Sequence, residues 1–155
     1  MEIYKQIYTS SADETAAAGR ELSKKLLDAP ALPRFIAMEG DLGVGKTVFT
    51  KGFVSEISPA AAVRSPTFAL VNDYTKRGGT PIYHFDVYRI NDDDDLYSTG
   101  FYDYLRDKRA FCIVEWSENI RYAFPKEYFV VRIEKCDIND TEKRLITIYL
   151  EGKNI

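Results

Sequence analysis

The sequence predicts an α/β fold with a mixed central sheet and helices on both faces. Three observations carry that expectation. A short apolar run, Phe35-Ile36-Ala37-Met38, passes through closely spaced glycines into a stretch where Phe49, Phe53 and Ile57 share a helical face, the order strand, glycine loop, helix. Residues 110–114 form a continuous apolar run of the kind found in a strand buried on both faces. The remaining strand-like and helix-like stretches are separated by turn residues, with no repeat, low-complexity tract or linker among them.

Taken in order, residues 3–8 alternate polar and apolar as a half-buried strand does, and Ser11-Ala12-Asp13-Glu14 has capping-box spacing. Ala18, Leu22 and Leu26 then recur on one helical face until Pro30 and Pro33 close the pattern and deliver the chain to the strand before Gly40. The helix after the glycine loop stops at Pro59. Ser65-Pro66 opens an extended segment through Tyr74, Gly78-Gly79 marks a turn, and Pro81 leads into a β-rich run over 82–88, which together predict a hairpin. Asp92, Asp93, Asp94 and Asp95 stand at the start of a helix over 96–105, where carboxylates are favoured by the helix dipole and need no metal. The run 110–114 ends at Glu115-Trp116, and strands over 128–133 and 144–150 follow Pro125.

Length and composition bound the function. The 155 residues, 45% hydrophobic and 29% charged, fit one globular domain spanning 1–155. The first ten residues lack the charged-then-apolar order of a targeting peptide, and no apolar run approaches the roughly 18 residues of a membrane helix. A cytoplasmic protein without a membrane partner is expected. A net charge of −3 argues against a free-standing nucleic-acid binder, so any RNA contact would run through a partner. One histidine and two separated cysteines, Cys112 and Cys136, are too few for a tetrahedral zinc site, and a disulfide is not expected in that compartment.

The strongest chemical signal is Gly40-Asp41-Leu42-Gly43-Val44-Gly45-Lys46-Thr47, a Walker A motif in its proper context between a strand and a helix. Its glycines let the backbone turn so that successive N–H groups point at phosphates, and the helix that begins near Lys46 adds the positive end of its dipole. Lys46 is expected to reach the β- and γ-phosphates and the Thr47 hydroxyl to hold Mg2+. The expected cofactors are therefore ATP and Mg2+, in a single-domain P-loop NTPase fold. Such a site needs a second acidic group to hold the metal and orient water. Glu115, at the end of the most apolar strand, and Asp86, within His84-Phe85-Asp86-Val87-Tyr88-Arg89, are the candidates. The bland alternatives are a solvated carboxylate at a strand end for Glu115 and an ion pair with Arg89 or another basic residue for Asp86. His84 reads as a half-buried strand residue rather than a catalytic base.

Four motifs together resemble the TsaE (YjeE) family, P-loop ATPases of bacterial tRNA threonylcarbamoyladenosine (t6A) biosynthesis. They are residues 40–47, then Ser65-Pro66-Thr67-Phe68 with Leu70-Val71, then residues 84–89, and Val114-Glu115-Trp116. The resemblance implies an ATPase, slow alone, that docks on a pair of subunits, TsaB and TsaD, and meets tRNA only through that complex. It implies that Gly43, Val44, Gly45, Lys46, Thr47 and Val48 cradle the nucleotide. By the same resemblance Thr47 and Glu115 hold magnesium, Glu115 and Asp86 serve catalysis, Thr67 senses the γ-phosphate and Trp116 lies close to the nucleotide. Residues 11–15 and Arg144 are candidates for the adenine side.

Val48 departs from the family pattern, which has a second threonine there. The valine N–H can still meet phosphate, but the hydroxyl contact is lost. Val48→Thr is expected to tighten nucleotide binding several-fold, on the order of the ~1 kcal/mol of one added hydrogen bond; an unchanged Kd would refute this. Two other readings compete: a small-molecule P-loop kinase, for which 106–121 offers no clear arginine-bearing lid, and a nucleotide-gated binding module without obligatory hydrolysis.

Overall fold

The structure is a computed structural model describing residues 1–66 and 70–152. The chain runs β1 (Glu2–Thr9), α1 (Ala12–Leu27), β2 (Phe35–Glu39), α2 (Lys46–Ile57), β3 (Val71–Asp73), β4 (Ile82–Asp86), α3 (Asp93–Ser98), α4 (Phe101–Leu105), β5 (Phe111–Glu115), a 3-10 segment (Ser117–Ala123), β6 (Tyr128–Lys135) and β7 (Arg144–Glu151). One seven-stranded sheet has the order β1-β7-β6-β2-β5-β4-β3. Its centre, β6-β2-β5-β4, is parallel, while β7, β1 and β3 join antiparallel at the two sides. The expected mixed sheet is therefore present.

Both faces are covered, for the reason the apolar runs suggest. Side chains alternate across a strand, so Ile36, Met38, Phe111 and Ile113 face α1 and α2, whose Leu22, Leu26, Phe49 and Phe53 complete one core. Phe35, Ala37, Cys112 and Val114 face the other way, against Leu96, Phe101 and Ile120. Every residue of β5 is buried. Burial also pushes the Cys112 thiol up to about 12, which leaves it an inert core residue.

α1 begins where expected. The Ser11 hydroxyl accepts from the Glu14 N–H (3.1 Å), and Glu14 reaches back to the N–H of Ser10, one residue before the position a capping box prescribes. Two of the four aspartates likewise cap a helix: Asp92 accepts from the Asp95 N–H at 2.8 Å and Asp95 from the Asn91 N–H at 3.2 Å. Among the described residues there is no cluster of three metal-ligating side chains.

Three expectations need correction. The single helix over 96–105 is two short ones, because Gly100 takes a left-handed conformation (φ 82°) that ends α3 and starts α4. The strand expected over 82–88 stops at Asp86, where the Val87 N–H turns to the Glu115 carbonyl. The extended run from Ser65 to Tyr74 is a strand only over Val71–Asp73 among the described residues. Thr67 and Phe68 lie outside the described residues. Among the described residues no helix is long and apolar enough to cross a membrane.

Candidate functional site

In an open parallel sheet, ligands bind beyond the carboxyl ends of the strands where the strand order reverses. Here β2 is that point: the chain leaves it through α2 to β4 on one side and later crosses to β6 on the other. The glycine loop follows β2 directly. Asp86 and Glu115, far apart in sequence, are paired across β4 and β5 at the same end. The loop and both candidate carboxylates therefore meet at one edge of the sheet.

The loop has the backbone its motif requires. Gly43 (φ 76°) and Gly45 (φ 108°) are left-handed, a conformation costly for other residues. Gly45 is also the N-cap of α2 and supplies no side-chain cap, so the first N–H groups of α2, including those of Thr47 and Val48, are presented to the loop rather than to a cap. The Lys46 ammonium donates to the Gly40 carbonyl (2.8 Å) and lies 5.6 Å from the centre of the Trp116 ring. With three donors, it retains capacity for phosphate oxygens. From outside, Arg144 Nε donates to the Val44 carbonyl (2.8 Å), and a side chain at Gly45 would come within 3.6 Å of Thr15. Arg144 and Thr15 thus reach the loop, whereas the Ser11 hydroxyl is taken up in capping α1.

Glu115 is buried. Burial alone would raise its pKa, but the His84 imidazole, then the Ser65 hydroxyl and Lys46, outweigh it and hold the carboxyl below its ordinary value. Ser65 Oγ donates to Glu115 Oε2 at 3.1 Å, while His84 Nε2 stands 3.6 Å from Oε1, just beyond hydrogen-bond length. A solvated carboxylate at a strand end would be neither buried nor so partnered. Asp86 is also buried and accepts from the Tyr88 N–H at 2.9 Å, which orients its carboxylate. Trp116 adopts a left-handed conformation (φ 60°) that is uncommon for a bulky residue and clusters at functional sites. The indole packs on Tyr88, with ring centres 4.8 Å apart.

A cleft of about 970 Å³ opens beside the loop, lined by Met38, Gly40, Lys46, Trp116 and Arg132. Its wall is braced by Glu39, which accepts from Arg132 Nε (3.0 Å) and Nη2 (2.9 Å) and pairs with Arg121 at 3.3 Å. Another cleft, of about 880 Å³, lies between the end of α2 and β3 and includes no residue of the glycine loop. Lys46, Trp116 and the ends of β2 and β6 line the first, whereas Ser65, the partner of Glu115, lines the second.

The comparisons with known proteins agree with this geometry. The family model described as "Threonylcarbamoyl adenosine biosynthesis protein TsaE" matches residues 9–146. The chain belongs to the TsaE family. Curated TsaE relatives include that of Haemophilus influenzae, 38% identical over 77% of this chain and 74% of the relative. The Bacillus subtilis relative is 36% identical over 69% of this chain and 65% of its own length, and that of Aquifex aeolicus is 32% identical over 96% and 98%. Among solved structures, Bacillus subtilis YdiB superposes with a TM-score of 0.68 at 29% identity, covering 96% of this chain and 86% of that one.

Against the TsaE motifs, the structure brings residues 40–48, Asp86, Glu115 and Trp116 together. Ser65 joins them through Glu115, and Thr67 lies outside the described residues. Two features escape sequence reasoning. His84 is fully buried, not half-buried, and Tyr74 contacts it from the neighbouring strand's end. Glu39 carries no pattern of its own, although an acidic residue directly before the glycine loop was visible.

Proposed function

We propose that this chain is an ATP-binding and ATP-hydrolysing protein of t6A tRNA modification that works on a TsaB–TsaD complex and meets tRNA only through it. The observation that carries the reading is the convergence of the glycine loop, Glu115 and Asp86 at the carboxyl ends of three neighbouring parallel strands. The left-handed glycines and uncapped start of α2 suit a triphosphate, and a buried carboxylate held ionised suits a divalent cation. Thr47 and Glu115 would hold Mg2+, which when bound neutralises charge on the phosphate oxygens.

In this reading the N–H groups of 43–48 and the Lys46 ammonium bind and orient the phosphates. Asp86, fixed by the Tyr88 N–H, orients the attacking water and takes up its proton at a carboxylate oxygen. Trp116, beside the Lys46 ammonium, borders the phosphate-binding loop. A cytoplasmic setting follows from the proposed tRNA pathway.

ATP turnover by the purified protein, alone and with TsaB, TsaD and tRNA, tests this. Partners are expected to stimulate turnover, and Glu115→Ala to lower the stimulated rate by about 10²-fold or more, the scale of losing one electrostatic element of a site. ATP binding without hydrolysis in any mixture would favour the nucleotide-gated binding module instead. The Ser65–Glu115 hydrogen bond speaks for that second reading, since it links a metal-binding candidate to the segment entering 67–69.

A further inference from the structure

Arg144 opens β7 and reaches the glycine loop from a fixed base. Its backbone is paired on both sides, with Thr9 of β1 and with Lys135 of β6. Nη1 donates to two carbonyls of the turn before β7, those of Thr141 and, at 3.0 Å, Lys143. Nε donates to the Val44 carbonyl at 2.8 Å. A guanidinium is a planar fork of N–H donors and accepts nothing. Held by three carbonyls, its plane is set before any ligand arrives.

Val44 is the point of the loop that this contact governs. Its side chain is buried in the core shared with α1 and α2, so the place of the residue is fixed. Which way its peptide faces is a separate matter. The plane between Val44 and Gly45 turns about ψ of Val44 and φ of Gly45, and glycine takes positive and negative φ about equally readily. Gly45 stands at φ 108°, and even a Cβ there would meet nothing nearer than the Thr15 methyl at 3.6 Å. The glycine that lets the loop turn therefore does not choose between two orientations of this peptide. One presents an N–H to a phosphate, and the other presents a carbonyl oxygen, which repels it.

No described peptide bond is cis, and in a trans peptide the carbonyl and the following N–H point to opposite sides. Drawing the Val44 carbonyl toward Arg144 thus turns the Gly45 N–H away from it, into the loop. We propose that Arg144 is a positioning residue that locks the 44–45 peptide with the Gly45 N–H facing the phosphates. The inference rests on the reading of the loop as a phosphate site. When only a fraction of the molecules is competent to bind, apparent affinity falls in proportion. A hydrogen bond from a charged donor shifts such an equilibrium by roughly 10- to 100-fold.

Arg144→Met keeps the apolar stem and removes the donors, and Arg144→Lys keeps the charge without the planar fork. Both are expected to bind ATP about 10-fold or more weaker than wild type, and to bind inorganic triphosphate, which has no base, weaker by the same factor. In both nucleotide-free variants the Gly45 amide signal of a 15N-labelled sample is expected to leave its wild-type position or split in two, with the signals of β2 and β5 unchanged. Weakened binding with a wild-type Gly45 signal overturns the proposal. Full rescue by lysine would assign the effect to charge and overturn it as well. So would weakened ATP binding with unchanged triphosphate binding, which would put Arg144 on the base, and so would unaltered ATP affinity in both variants. Should neither variant fold, the wild type decides: the Gly45 amide proton is expected to shift downfield on adding triphosphate, and a signal that stays in place overturns the proposal. Wild-type protein that binds neither ATP nor triphosphate would instead overturn the functional reading beneath.

Discussion

Replacing Gly52 with alanine is expected to destabilise the protein by about 3 kcal/mol or more, the upper range for overpacking a filled interior. Helix propensity alone gives the opposite sign, since glycine within a helix costs about 1 kcal/mol relative to alanine. The contact decides. A Cβ on Gly52 would stand 1.8 Å from the Ala16 carbonyl oxygen and 2.5 Å from its carbon, both backbone atoms of α1 that no rotamer change can move aside. Gly19 mirrors it on α1, where a Cβ would meet the Phe49 carbonyl oxygen at 2.1 Å. The two helices thus touch backbone to backbone through one glycine from each. For a chain of this size the cost corresponds to a fall in Tm of about 6–12 °C, measurable by circular dichroism or calorimetry. A Tm equal to or above wild type would show that the helices can separate freely. Because α2 carries the glycine loop at its start, the same substitution is expected to weaken the proposed nucleotide binding.

Lys46→Ala is expected to lower ATP affinity by about 10²-fold while leaving the fold intact. Truncating one side of a hydrogen-bonded charge pair costs about 2–5 kcal/mol, and roughly 3 kcal/mol is about two decades in Kd. Structurally the lysine contributes little: it is half-buried, and among the described residues its ammonium makes one hydrogen bond, to Gly40. A Tm within about 2 °C of wild type follows, within the ±0.5 kcal/mol usual for surface changes. Trp116 is the only tryptophan, and its ring lies near that ammonium, so its fluorescence reports binding directly. An unchanged Kd would remove the loop from the nucleotide site, whereas a collapsed Tm would mean that the Gly40 contact is structural.

The site was legible wherever its chemistry is local. The loop at 40–47 declares itself because left-handed turns demand glycine, and Gly43 and Gly45 take that conformation. The capping of α1 by Ser11 was equally visible, since a cap and its donor are three residues apart, whereas the four aspartates read only as carboxylates favoured by a helix dipole, and the structure shows Asp92 to be a cap. The break at Gly100 was available too, but 96–105 reads as one helix when the acidic start is weighed above a single glycine. Gly19 and Gly52 resemble ordinary weak points in helices, and only the approach of α1 to α2 reveals what they permit.

By itself, then, the sequence determined the alternation of strands and helices, the glycine loop and the family, because each depends on neighbours within a few residues or on motifs in fixed order. The tertiary structure alone decided which distant groups meet. The pairing of β4 with β5 sets Asp86 opposite Glu115, and the hairpin of β3 and β4 presses Tyr74 onto His84. Neither contact has a sequence period. Both arise from long-range strand pairing, in which the burial of whole apolar faces chooses the register and the polar groups at the strand ends are carried into place with it.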